Sequence, residues 1–282
     1  MRKSFCAFLA VLMLGMAPAA LAEGEMPAVN GGIVELASGA SLDLNGDGIA
    51  EQVKLDLEVD EDNDTGKFVI SAGEASIELD TVAGIDKLYA GYLRGEYDVP
   101  FLLVSEYGPS DDPYSYVIHY DGEKLTNIGG VPALAGDISL EDGVMTARVR
   151  ADRICTWSRV SDFVVARTYM YDDEYKALPA EYYVAEAPRA SYAMDMAAVL
   201  KRDITLRTSL YGEGELKLKE GERVVLSATD DASYVFITPV DKAAHDWARG
   251  GYLMLGEGID DVMVDGKSVP GNDVFNGLLY AD

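Results

Sequence analysis

One stretch of the chain, residues 43–51, carries oxygen-bearing side chains at a spacing that suits a metal ion. Counting Asp43 as position 1, acidic or amide side chains stand at positions 1, 3, 5 and 9, with a glycine at position 6. Calcium takes about six to eight hard oxygen ligands, and a glycine permits the sharp turn that gathers them. We therefore predict a calcium site with these ligands: Asp43, Asn45, Asp47, the Ile49 carbonyl and Glu51.

The loop differs from an EF-hand, because Lys54 stands where that motif needs a bidentate glutamate, and no helical pattern flanks it. It resembles the nine-residue calcium loops of FG-GAP or VCBS-type repeats, the integrin-like propeller family, whose pattern is D-x-[DN]-x-D-G-x-x-[DE] leading into a strand. The resemblance covers residues 43–51 strictly and 30–187 loosely, and it implies a propeller-like domain that binds calcium. The alternative is an acidic turn whose side chains are simply solvated.

Little else in the sequence has the arrangement of a catalytic site. The two histidines, His119 and His245, have no nucleophile-elbow, zinc-protease, phosphate-loop or dinucleotide motif around them. Cys155 lies in "RICTWS", which we interpret as a buried strand with an inert thiol. Carboxylate pairs are uninformative in a chain with 49 acids. We therefore expect a protein that is not an enzyme.

Two groups of residues have both a binding and a packing interpretation. One group of arginines either forms an anion-binding strip, for example for carboxylated glycans, or pairs with the many acids, which we favour: Arg148, Arg150, Arg153, Arg159 and Arg167. One group of tyrosines either stacks on sugars or packs a half-buried sheet, which is the more common role of alternating strand tyrosines: Tyr107, Tyr114, Tyr116 and Tyr120.

Residues 1–22 have the features of a secretory signal peptide: a basic start at Arg2 and Lys3, an apolar run from Phe5 to Met16, and the cleavage sequence Ala20-Leu21-Ala22. We expect a secreted or envelope-associated protein that loses this segment, which changes the net charge from −26 to −28 because it contains two cations and no acid. So negative a chain repels nucleic acid and anionic membranes. No later segment has the roughly 20 apolar residues of a membrane helix, so we expect no membrane insertion after cleavage.

The elements that must position these groups are strands. Apolar and polar residues alternate in four stretches: 53–59, 114–120, 144–150 and 222–228. Asp121-Gly122 and Asp142-Gly143 predict hairpins. A loose repeat of about 50 residues, consisting of a turn, a strand, a polar tip and a returning strand, occurs three times within 30–187. Three units are fewer than the roughly four blades that close a propeller. We therefore predict propeller-like or sandwich-like antiparallel sheets.

A domain boundary near 185–189 separates this region from a second one, 188–282. Ser191–Arg202 predicts a leading helix, with Ser191 as its N-cap and two basic residues at its end. The stretches "ITLRTSLYGEGELKLKEGERVVLSA", "SYVFI" and "GGYLML" resemble a bacterial SH3-type domain over about 200–255, although Tyr234 and Tyr252 replace its usual tryptophans. The resemblance implies a small SH3-like barrel with a C-terminal extension, and cell-wall or peptide binding.

The sequence therefore predicts a mainly β, exported, non-enzymatic binding protein of the cell envelope, stabilised by one calcium ion. Its expected partner is a cell-wall peptide or glycan. Two alternatives stay open: a secreted hydrolase that acts on cell-wall or dietary glycan, and a metal-free, tyrosine-rich glycan-binding module. A deep cleft with two facing acids would favour the hydrolase, and a flat row of exposed aromatic residues would favour the module.

Overall fold

The computed structural model describes residues 32–60, 65–81, 85–93, 99–107, 112–154, 159–168, 174–176, 181–187, 191–240 and 249–278. In these ranges antiparallel strands dominate, which confirms the mainly β prediction. The predicted signal peptide, Cys155 and His245 lie outside the described residues. No helix in these ranges is long and apolar enough to cross a bilayer.

The N-terminal unit, described within 32–187, contains three antiparallel sheets. Sheet I has the order β2-β3-β4-β5: Ala40–Leu42, Glu51–Asp60, Thr65–Ala72 and Ala75–Thr81. Sheet II has the order β1-β6-β7-β8-β9: Ile33–Glu35, Ile85–Leu93, Val99–Glu106, Tyr114–Tyr120 and Leu125–Val131. A 3₁₀ turn at Ala135–Asp137 leads to sheet III, with the order β10-β11-β12-β13: Ser139–Glu141, Val144–Val149, Arg159–Arg167 and Tyr182–Glu186.

The three sheets stack face to face, with sheet II in the middle. Leu102 and Val104 of β7 belong to a core shared with sheet I, where they meet Phe68 and other buried residues. Phe101 and Leu103, the alternate residues of the same strand, belong to a second core shared with sheet III. A strand that is buried on both faces reads as a continuous apolar run, which explains the sequence "VPFLLVSE". Truncation of such a side chain costs about 2–5 kcal/mol.

The hairpins predicted from alternation and turn residues are confirmed where they are described. Strand β8 spans the predicted residues 114–120, and β11 ends one residue before the predicted end. Asp142 and Gly143 join β10 to β11 with φ angles of 49° and 79°. Two successive residues with positive φ match the right-handed twist of the flanking strands.

The C-terminal unit, described within 191–278, has one large sheet, sheet IV, with the order β16-β15-β19-β18-β17-β14-β22. Its strands in chain order are β14 Tyr192–Leu200, β15 Ile204–Arg207, β16 Glu215–Leu218, β17 Arg223–Thr229, β18 Tyr234–Pro239, β19 Gly251–Met254 and β22 Phe275–Asn276. A separate hairpin and a one-turn helix precede the last strand: β20 Asp261–Val264, β21 Lys267–Pro270 and α1 Gly271–Val274. In the described residues sheet IV is open, with β16 and β22 as its edges.

The helix predicted at Ser191–Arg202 is wrong, because most of this segment is strand β14, Tyr192–Leu200. Burial in the strand alternates: Met194, Met196, Ala198 and Leu200 are buried. Met, Ala and Leu favour helices in isolation, but here pairing with β17 and β22 places every second side chain in the core. Tertiary packing overrides the local preference. The predicted domain boundary falls between β13 and this strand.

Candidate functional site

The predicted calcium loop connects β2 to β3 at one end of sheet I. Asp43 turns both carboxylate oxygens back into the loop: Oδ1 accepts the N–H of Gly46 at 2.7 Å and of Asp47 at 3.2 Å, and Oδ2 accepts the N–H of Gly48 at 2.9 Å. Gly46 and Gly48 have φ angles of 76° and 86°, a region that glycine enters without steric strain. Asp43 therefore organises the turn.

Asn45 and Asp47 face each other across the loop. Asn45 Nδ2 donates to Asp47 Oδ2 at 3.0 Å, and Asn45 Oδ1 accepts the Asp47 N–H at 3.1 Å. Asp47 Oδ1 accepts the N–H of Ile49 at 2.7 Å. The loop is thus closed by its own hydrogen bonds, and a cation that used Asp47 Oδ2 would have to displace the Asn45 amide from it.

Glu51 anchors the end of the loop. It is the first residue of β3 and only 8% exposed, and its Oε2 accepts the N–H of the buried Leu44 at 2.8 Å. Val53, two residues further on, is fully buried between sheets I and II. Ile49 has a side chain that is 69% exposed, so solvent reaches the loop beside the carbonyl that we predict as a ligand.

Carboxylates from other elements lie near the same place. Burial raises the pKa of Tyr120, and the negative charges of Glu51, Asp47 and Asp121 raise it further. The Tyr120 hydroxyl donates to the carbonyl of Gly122, at 2.9 Å, in the turn between β8 and β9. A Cβ atom at Gly122 would come within 2.9 Å of Asn45 Nδ2. The loop and this turn therefore pack together and form a negatively charged end of the unit.

The ligand identities fit calcium, but the side chains are not gathered into a coordination sphere. Among the described residues, no group of three or more His, Cys, Asp or Glu side chains has the spacing of a metal centre. Of the predicted ligands, Asp43, Asp47 and Glu51 instead accept main-chain N–H groups. A carboxylate oxygen has two lone pairs, so acceptance of one N–H leaves it able to coordinate a cation.

The arginine group serves mainly to hold the molecule together. Arg150 pairs with Asp112 on the surface at 2.9 Å, and Arg159 pairs with Glu186 and Asp231. Arg148 donates to the Met194 carbonyl of the C-terminal unit at 3.0 Å. Arg153 donates to main-chain carbonyls of the same unit. Pairing with acids is confirmed for Arg150 and Arg159, while Arg148 and Arg153 bind backbone oxygens.

Arg159 is the centre of a buried polar cluster between the two units. Its side chain is 8% exposed and that of Asp231 is 7% exposed, with Arg159 Nε 2.9 Å from Asp231 Oδ2 but not directed along a hydrogen bond. The guanidinium donates to Glu186 and to Ser161, and lies 4.5 Å from the centre of the Tyr192 ring. Burial raises the pKa of Asp231 despite this cation.

Three of the four tyrosines, Tyr114, Tyr116 and Tyr120, take part in packing together with His119, whereas Tyr107 is 50% exposed. The Tyr116 ring lies 5.5 Å from Phe68 and 4.9 Å from Tyr114, and its hydroxyl donates to Glu106 at 2.9 Å. His119 lies against Tyr182 at 4.7 Å. Burial lowers the pKa of His119, and the nearby Asp121 only partly opposes this. These contacts support the packing interpretation of the strand tyrosines and a structural role for His119.

Sequence reasoning missed two acids whose side chains the structure buries, Glu106 and Asp231, and the partly exposed Glu186 that pairs with Arg159. Nothing in their spacing separates them from the other acids of so acidic a chain, although "TDDAS" around Asp231 is a turn sequence. No protein-family model, curated protein or solved structure matches this chain. Its function has to be inferred from the residues themselves.

Proposed function

We propose that this is an exported, non-enzymatic binding protein of the cell envelope whose N-terminal unit holds one calcium ion in the loop 43–51. The observation that carries the proposal is the position of the loop. Its predicted ligands, Asp43, Asn45, Asp47, the Ile49 carbonyl and Glu51, occupy one turn that ends on a buried glutamate at the start of a core strand. A cation there would tie the exposed turn to the core.

The surroundings favour a hard divalent cation. Asp121 and Glu74 lie on neighbouring turns and, with Asp47 and Glu51, raise the pKa of Tyr120. Calcium tolerates irregular oxygen geometry, whereas magnesium requires a near-octahedral arrangement and keeps its waters. We therefore expect calcium to bind more tightly than magnesium.

The architecture proposed for the two units is propeller-like for the first and SH3-like for the second. Three consecutive antiparallel sheets that stack face to face support the first assignment. Strands β17, β18 and β19, which lie in the stretches that resemble the SH3-type family, pair as consecutive neighbours after the β15–β16 hairpin. Such a pair of β units on an exported chain suits the capture of cell-wall peptide or glycan.

The calcium site is tested by thermal melts of the mature chain with chelator and with calcium. Extracellular modules bind calcium with Kd values of about 10⁻⁴–10⁻³ M. A hundredfold excess over Kd adds about 2.7 kcal/mol, or about 5–10 °C in Tm. Asp47→Ala should abolish this response, and Asp56→Ala, at an exposed position of β3, should preserve it. Equal Tm values with and without calcium would show that the loop is only a turn.

Asn45→Asp distinguishes the two interpretations directly. In a cation site the added carboxylate strengthens calcium binding. In a simple turn it replaces the amide that donates to Asp47 Oδ2 and sets two negative charges against each other, so it lowers Tm in both conditions. Isothermal titration of the variant with calcium, beside wild type, gives the sign of the change in affinity.

Binding at the envelope is tested by co-sedimentation of the mature chain with purified peptidoglycan, while release of soluble fragments is monitored. We expect retention in the pellet without turnover. Progressive release of sugar or peptide fragments would identify the hydrolase alternative, and absence of retention would contradict the proposed partner.

A further inference from the structure

The connection between β11 and β12 does not stay with its own sheet. Residues 151–154, here called the docked segment, leave sheet III and lie against the C-terminal unit. They contact two of its loops: the turn 230–233 and the loop 256–260. The side chain of Ile154, the last residue of the segment, is 1% exposed and belongs to the hydrophobic core of the C-terminal unit.

The guanidinium of Arg153 is held by main-chain carbonyls from both loops. Its NH2 atom donates to Gly256 at 2.8 Å and to Gly258 at 3.0 Å, and its NH1 atom donates to Ala232 at 3.3 Å. Its Nε donates to Ile259 at 3.2 Å. Four oxygens arranged around one planar fork fit a guanidinium, whereas an ammonium ion could not reach all of them.

The main chain of the docked segment is bound as well. The Asp231 carboxylate accepts the N–H of Asp152 on Oδ2 and the N–H of Arg153 on Oδ1, both at 2.9 Å. The N–H of Ile154 donates to the Ile259 carbonyl at 3.1 Å. Ile154 has a φ of 44°, which is rare for a β-branched residue and persists only where surrounding contacts impose it.

The two receiving loops are also ordered by contacts of their own. Asp230 accepts the N–H groups of Ala232, Ser233 and Tyr234 at 3.1, 2.8 and 3.0 Å, which fixes the turn 230–233. The loop 256–260 is fixed by the Gly256 N–H, which donates to the Asp261 carbonyl at 2.7 Å.

A side chain would not fit at either glycine of this second loop. A Cβ atom at Gly256 would come within 2.3 Å of Ser268 Oγ, and one at Gly258 within 2.9 Å of Asp261 Cγ. These contacts of Asp230, Gly256 and Gly258 involve only residues of the C-terminal unit. Each receiving loop therefore has a source of order besides the docked segment.

We propose that the C-terminal unit is a peptide-recognition module for an arginine followed by an aliphatic residue, and that the chain's own Arg153-Ile154 occupies this site. The main-chain carbonyls bind the guanidinium, the hydrophobic core of the C-terminal unit accepts the aliphatic side chain, and the Asp231 carboxylate binds two main-chain N–H groups. An external peptide of the same chemistry competes with the docked segment. The site is distinct from the calcium loop and does not depend on it.

In wild type, the docked segment competes with an external peptide for the site and lowers the apparent affinity for that peptide. A ligand joined through a short connection has an effective concentration on the order of millimolar, so a free peptide competes poorly until the segment is weakened. The double variant Arg153→Ala with Ile154→Ala removes both recognised side chains and leaves the sequence of the receiving loops unchanged. The site is then open to an external peptide.

The test is fluorescence polarisation with a labelled, end-capped peptide RADRI, the sequence of residues 150–154. The full-length double variant should bind it at least tenfold more tightly than wild type does. RADKI, with lysine in place of the second arginine, and RADRD, with aspartate in place of isoleucine, should each bind at least tenfold more weakly than RADRI. Equal, weak binding of RADRI to wild type and to a folded double variant would overturn the proposal.

A second measurement is used if the double variant does not fold without peptide. The variant is then refolded with millimolar RADRI or RADRD, and hydrogen exchange is followed in residues 230–234 and 256–261. Protection restored by RADRI but not by RADRD supports the site, and no restoration by either peptide overturns it. In the folded case, Asp231→Asn added to the double variant should weaken RADRI binding, while Asp56→Asn, at an exposed position of β3 in the N-terminal unit, should not.

Discussion

Two connections in the N-terminal unit, the loop 43–51 and the docked segment 151–154, treat their polar groups in opposite ways. The loop uses its side chains to bind its own N–H groups, within seven residues of each other. The docked segment uses its N–H groups and its arginine to bind residues about 80–100 positions away in sequence. A turn that is closed by neighbouring residues can therefore be predicted from the sequence, whereas contacts between distant segments cannot.

The largest difference between the two connections is expected when an isoleucine in each of them is replaced by aspartate. Ile154→Asp places a charge in the core of the C-terminal unit, where an unpaired buried charge costs about 4 kcal/mol or more. Ile49→Asp, in the exposed part of the loop, should change the free energy of unfolding by less than about 0.5 kcal/mol. Urea unfolding of both variants compares the two directly, and similar midpoints would contradict the buried position of Ile154.

Substitution in the buried polar cluster around Arg159 should have the second-largest effect on the free energy of unfolding. Arg159→Met leaves Asp231 and Glu186 without their buried cation, which costs about 3–5 kcal/mol. Arg150→Met, at a pair whose side chains are 43% and 51% exposed, should cost at most about 1 kcal/mol. Thermal unfolding by circular dichroism measures both, and a small loss for Arg159→Met would mean that the cluster does not join the units.

The loop itself should give a smaller and more local effect. Asp43→Ala removes the acceptor of three N–H groups in an exposed turn, a change comparable to the loss of a helix cap, about 1 kcal/mol. In the presence of chelator, hydrogen exchange should accelerate in residues 44–49 and stay unchanged in 230–234. Faster exchange in both regions would show that the two connections are coupled.

The smallest effect that we predict is a change in the pH dependence of stability, and it concerns two acids of the polar cluster around Arg159. Burial alone would raise the pKa of Glu186, but hydrogen bonds from Arg159 and Ser161 outweigh it and hold the pKa below its usual value. A lowered pKa stabilises the fold above the unfolded value, about 4.3, and this contribution is lost as pH falls through the folded value. Glu186→Gln should therefore flatten the loss of stability on acidification.

Asp231 acts in the opposite sense, because burial raises its pKa. Its contribution is present below the unfolded value, about 3.9, and is lost as pH rises through the folded value. Asp231→Asn should therefore remove the part of the stability that is lost as pH rises. Urea midpoints measured from about pH 3 to pH 6 compare both variants with wild type, and an unchanged acid profile for Glu186→Gln would contradict the assignment.

The sequence predicted those parts of the fold that depend on neighbours along the chain. Alternation located β3 and β8, and Asp142-Gly143 located a hairpin turn, because a strand face and a two-residue turn are local properties. Strand β14 was missed because its residues favour a helix until β17 and β22 pair with it. Local spacing also cannot show that Asp231 receives a segment almost 80 residues before it.

Strand β1 has a consequence for the order of assembly. It precedes sheet I in the chain but pairs with β6 of sheet II, so that Ile33 lies opposite Gly91. During synthesis its partner therefore emerges more than fifty residues later, after every strand of sheet I. Long-range pairing of this kind delays folding. We expect the chain to remain incompletely folded until β6 is available, a delay that is compatible with the export that we propose above.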